Sequence, residues 1–197
     1  MRKRYLPLIV ATLAWAGTAA AQSVTVAPGA QLTVDGDSTV RAFTCKAAKL
    51  DVKLQPNEGA ALGADQLASA LRGLSFELPT AQLDCANDKM NDHLREALKA
   101  REHPAIGFKM SSYTAGPVQA DGRRVLRIKG DLSLAGSTRP VELTAFAAAT
   151  PDGGLRVQGR HNLRMTEWGV KPPSLMLGTM KVREAVAIRF DATLKQQ

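Results

Sequence analysis

Three histidines, His93, His103 and His161, and two cysteines, Cys45 and Cys85, are the side chains best equipped for chemistry in this 197-residue chain. Metal binding would require them at ligand spacing, such as C-x-x-C or two histidines on one helical face, and neither pattern occurs. Nucleophilic catalysis, zinc hydrolysis and phosphate transfer commonly leave G-x-S-x-G, H-E-x-x-H or a Gly-rich phosphate loop, and the chain has none of these. It therefore reads as a binding protein rather than an enzyme, with no cofactor expected. The cysteines have three readings: a metal pair, a redox pair or a structural bridge. Without C-x-x-C spacing or a nearby histidine, an isolated even pair reads best as one disulfide in an oxidising compartment. Closing a loop of that size contributes about 3–4 kcal/mol in the chain-entropy picture.

An oxidising compartment agrees with the first residues. Arg2, Lys3 and Arg4 precede a mostly apolar run from Leu6 to Ala16, and Ala19-Ala20-Ala21 fits a small-residue cleavage site. This is the pattern of a secretory signal peptide over residues 1–21, leaving residues 22–197 as one domain. The apolar run falls short of the roughly 18 residues a retained span needs. Losing the three leader cations would lower the formal charge from +8 to +5. The remaining basic residues are dispersed, without the basic stripe and stacking aromatics of a nucleic-acid binder. The positive balance suits solubility and peripheral contact with an anionic membrane.

Beyond the leader, the dominant period is two. Leu126, Ile128, Gly130, Leu132 and Leu134 alternate with polar residues, as do Leu155, Val157, Gly159, His161 and Leu163, and Val186, Ile188, Phe190, Ala192 and Leu194. Such rows predict antiparallel strands with one buried and one wet face. Further strands are predicted at 23–27, 38–46, 49–54, 74–78, 105–113 and 141–149, with turns at Pro28-Gly29, Gly116-Pro117, Asp121-Gly122 and Asp152-Gly153-Gly154. This number and spacing fits a barrel or a sandwich. Two helices interrupt the strands, a short one at 64–71 and a stronger one at 89–101. The second has Met90, His93, Leu94, Ala97 and Leu98 on one stripe, Asp88 as N-cap and Pro104 as a stop. With its charged outer face, that helix must cover a barrel mouth or lie on the outer wall.

The order of these segments resembles the YceI-like family. His93-Leu94-Arg95 followed by His103-Pro104-Ala105-Ile106-Gly107-Phe108 is similar to one family stretch. The run Gly130-Asp131-Leu132-Ser133-Leu134-Ala135-Gly136-Ser137-Thr138-Arg139-Pro140-Val141-Glu142-Leu143 resembles its most specific block, and Thr166-Glu167-Trp168-Gly169-Val170 resembles a third. The resemblance spans about residues 31–195. It implies a mainly β, eight-stranded, antiparallel, lipocalin-like barrel with one or two short helices. It also implies a periplasmic or secreted setting and an interior that binds a long-chain isoprenoid, quinone or fatty-acyl lipid. The early segment from Asp35 to Phe43 lacks the family's histidine, and Met165 stands where the family has arginine.

An eight-stranded barrel has room for its own side chains or for one small ligand. Gly130, Gly159, Ala145, Ala147 and Ala192 on inward rows favour space for a ligand. On that reading the lining would comprise Phe43, Phe76, Phe108, Met110, Leu126, Ile128, Val157, Ile188 and Phe190. The other outcome is a solid core, which would suit an envelope-stress or interaction module without a lipid. His161 is the polar exception in its row. It would hydrogen-bond a headgroup or quinone carbonyl, or else a neighbouring backbone group. The segment 169–178, with Trp168 at its base, fits either a lid over the mouth or a packed connection.

Overall fold

The computed structural model describes residues 23–60, 62–63, 66–175 and 179–196. The leader pattern over residues 1–21 lies outside them. The strands are β1 (Val24–Val26), β2 (Gln31–Ser38), β3 (Ala42–Ala47), β4 (Asp51–Pro56), β5 (Leu71–Pro79) and β6 (Leu83–Asp84). After helix α1 (Asp88–Ala97) come β7 (Ala105–Val118), β8 (Arg124–Leu134), β9 (Ser137–Ala149), β10 (Leu155–Arg164), β11 (Ser174–Leu175) and β12 (Met180–Gln196). Every pairing between them is antiparallel.

The strand count departs from the expected eight. Among the described residues the sheet has twelve strands, ten of them on the path β4-β5-β7-β8-β9-β10-β12-β2-β3-β6. The difference comes from three interrupted staves. β1 and β2 pair successive stretches of the same edge of β12, separated by the Pro28-Gly29 turn, where Gly29 has φ of 92°. β3 and β4 form a second broken stave. β5 and β6 form a third, split after Pro79 by one 3-10 turn over Thr80–Gln82. β4 pairs β5 while β3 pairs both β2 and β6. The sheet thus curls round until the stave made of β3 and β4 joins its two ends, giving eight staves in a lipocalin-like barrel.

Other differences are local. β2 was not among the predicted strands, and the span 38–46 contains the β2–β3 turn as well as β3. In that turn the Ser38 hydroxyl donates to the Arg41 carbonyl at 2.9 Å. The shorter predicted helix at 64–71 is, in its described part, a 3-10 turn over Leu67–Ser69, and Leu71 already belongs to β5. Residues 64 and 65 lie outside the described residues.

The inward rows meet as a packed core in one half of the barrel. Leu126, Ile128, Ala145, Ala147 and Leu155 are buried there, and Phe76 stacks on Phe108 with centroids 5.7 Å apart. Tyr113 closes this end: its hydroxyl donates to the Leu67 carbonyl at 2.6 Å and accepts from the Leu71 amide at 3.1 Å. Outward rows carry cross-strand ion pairs such as Arg189–Asp35, 2.6 Å, and Arg127–Glu142, 3.5 Å. These keep the wall soluble and add little stability singly.

Candidate functional site

α1 begins where Asn87 accepts a hydrogen bond from the Met90 amide at 3.0 Å, satisfying one of the free amides of the first turn. The N-cap is therefore Asn87 rather than Asp88, because residue 87 is the one still extended, with ψ of 120°. The helix ends earlier than the predicted Arg101, since Lys99 turns into the left-handed region at φ of 51°. Buried Asn91 ties α1 to the barrel. Its Oδ1 accepts from the Cys85 amide at 2.8 Å and its Nδ2 donates to Asp84 at 3.0 Å. The Cys45–Cys85 disulfide fastens the same segment to β3.

Between α1 and the barrel lies a cavity of about 550 Å³. All five residues of the helical stripe, Met90, His93, Leu94, Ala97 and Leu98, form one wall. The facing wall comes from the far ends of the inward rows: Leu132 and Leu134 of β8, Leu163 of β10, and Val186 and Ile188 of β12. The disulfide sulphurs and Met165, Val170 and Pro173 complete an almost wholly apolar surface. Among the described residues, no carboxylate lines it.

Of the residues singled out from sequence, Phe43 and Ile188 line this cavity. Phe76, Phe108, Leu126, Ile128, Met110, Val157 and Phe190 belong to the packed half. The space expected over two glycines is occupied. A Cβ on Gly130 would lie 2.6 Å from the Phe108 ring, and one on Gly159 would collide with the Phe190 ring. These two glycines thus mark seats for phenylalanine rather than open volume. Trp168 is buried, and its indole donates to the Leu132 carbonyl at 3.3 Å. Val170 and Pro173, from the segment considered as a lid, line the cavity, and residues 176–178 lie outside the described residues.

His161 is half-buried and pairs in register with Ile188 across β10 and β12. Burial holds its imidazole below the ordinary value of 6.5, against the opposing pull of the Glu167 carboxylate. Leu132, Leu134, Leu163 and Val186 were present in the predicted inward rows but were not singled out as lining. Alternation identifies a face; it does not say which end of that face stays open.

The sequence pattern of the YceI-like domain matches residues 16–194. The chain belongs to the YceI-like family. No curated protein matches its sequence. Among solved structures it is similar to BcnA of Burkholderia cenocepacia, with a TM-score of 0.62 and 15% identity over 83% of this chain and 95% of that one. A polyisoprenoid-binding domain from Saccharophagus degradans gives 0.63 at 10% identity, covering 90% of this chain and 99% of that one. A YceI protein of Campylobacter jejuni gives 0.53 at 14%, covering 76% and 85%. At these identities the likeness is one of fold.

The most specific YceI-like block is the β8–β9 hairpin. Its two-residue turn places Ala135 at φ of 50° and Gly136 at 83°, the left-handed pair that suits the twist of a tight hairpin. The His103 ring lies against Gly136, leaving no space for a Cβ. Met165 lines the cavity and adds an apolar thioether side chain to its wall.

Proposed function

We propose that the cavity holds the apolar chain of a single-chain lipid, an isoprenoid, a quinone tail or a fatty-acyl chain, and that the protein binds and carries it without transforming it. The observation that carries this reading is the apolar space between the stripe of α1 and the open half of the barrel. Binding would be driven by burial, roughly 0.8 kcal/mol gross for each CH₂, offset in part by the ordering of the chain. The YceI-like fold and the neighbour described as polyisoprenoid-binding support the same class of ligand. The setting is periplasmic or extracellular. The disulfide suits an oxidising compartment, and residues 1–21 would be removed as a leader. The positive balance favours peripheral contact with anionic membrane during loading.

Gentle purification followed by organic extraction and mass spectrometry tests the reading. A long-chain lipid should be recovered, and stripped protein should take up a fluorescent apolar probe. Ala97→Trp, which fills the space from the helix side, should weaken uptake at least tenfold. Protein that is repeatedly empty and takes up no added lipid would sink the reading.

A further inference from the structure

Among the described residues that line the cavity, three are exposed: Arg41, Asn87 and Lys89. The remaining lining residues are buried or half-buried, so these three locate the mouth. They come together because the β2–β3 turn delivers Arg41 beside the start of α1, which carries Asn87 and Lys89. A second space of about 320 Å³ opens at this corner, lined by Arg41, Thr44, Ala86 and Asn87 together with Phe43 and Met90. Arg41, Phe43, Cys85, Asn87 and Met90 line both spaces, so the apolar cavity adjoins a more polar vestibule. Among the described residues neither the Arg41 guanidinium nor the Lys89 ammonium belongs to an ion pair. Asp84 and Asp88 flank the corner in sequence but line neither space.

We propose that this corner is an anion site for the head of the bound lipid. The ligand would then be a single-chain amphiphile with a phosphate or carboxylate at one end. The inference rests on the cavity holding an apolar chain, and it adds the polarity and orientation of that chain: tail against Leu134, Leu163 and Val186, head at Arg41 and Lys89. Two unpaired cations at the rim of a greasy cavity attract an anion whose tail is already buried. They offer a neutral alcohol or amide no comparable gain.

The test compares matched ligands in low salt: geranylgeranyl phosphate against geranylgeraniol, and palmitate against palmitamide. The anion of each pair should bind about fivefold or more tightly, the scale of two solvent-exposed charge contacts. The preference should shrink as sodium chloride is raised. Arg41→Gln with Lys89→Gln should lower the phosphate's affinity to that of the alcohol at an unchanged melting temperature, whereas Arg41→Lys should keep the preference. The proposal is overturned by equal affinities within each pair, or by a preference that survives in the double glutamine variant. It is also overturned by inorganic phosphate alone binding as tightly as the amphiphile, which would mark a site for the free ion. Neutral chains that bind without any anion preference would leave the chain-holding function standing. Failure of every ligand to bind would remove both readings.

Discussion

Within a single strand, the inward row of β10 carries Gly159, His161 and Leu163, and each residue answers to a different demand. Gly159 makes room for the Phe190 ring directly across the ladder, an arrangement in which an aromatic covers a glycine that packs nothing itself. The sequence shows both residues inward, but their meeting depends on the register of β10 against β12, which no single-strand period contains. Leu163 reaches the open half and lines the cavity. His161 sits between, where burial disfavours its charged form. The unfolded chain, with an ordinary imidazole, takes up a proton on acidification that the folded state resists. Stability should therefore be full above the ordinary value of 6.5 and decline as pH falls through it toward the lower folded value. Urea midpoints measured from about pH 8 to pH 5, above most of the carboxylate range, should show that decline. His161→Gln should flatten it, and a variant with the wild-type slope would assign the loss to another group.

At the scale of elements, α1 was legible because its apolar stripe recurs at helical spacing, and all five stripe residues face the cavity. β2 was not legible. Its Asp35-Gly36-Asp37 run has turn composition, yet Gly36 is needed in the strand because the Phe43 ring of β3 lies over it. Asp35 is held by the Thr44 hydroxyl at 2.7 Å and by Arg189 at 2.8 Å. The cysteine pair was readable as a bridge, but its place was not: it joins the stave of β3 to the approach to α1 and forms part of the cavity wall. With its two cysteines 40 positions apart in sequence, the bridge should contribute about 4 kcal/mol by constraining the unfolded chain. Urea unfolding of oxidised protein against a Cys45→Ala, Cys85→Ala variant should show that loss. Superimposable curves would mean that Asn91 and the apolar stripe hold α1 without help from the bridge.

The whole molecule divides the barrel unequally, and that division bounds the ligand. One half is closed by Phe76, Phe108, Phe190 and the turn that Tyr113 anchors, while the half beneath α1 is open. A cavity of roughly 150 Å³ accepts a benzene ring, so the volume of about 550 Å³ corresponds to roughly twenty carbons, or about four isoprene units. A longer tail must either protrude at the mouth or displace the phenylalanines from their glycine seats. Protrusion buries no further surface, and displacement forfeits packing worth about 3–5 kcal/mol for each phenylalanine. Affinity for isoprenols should therefore rise at least tenfold for each added unit from ten to twenty carbons. Between twenty and forty carbons it should change less than about threefold, since the added CH₂ groups stay in water. A competition series against one fluorescent probe measures this directly. An undiminished rise to forty carbons would show that the packed half opens to admit the chain, with Phe108 and Phe190 acting as a gate instead of a floor.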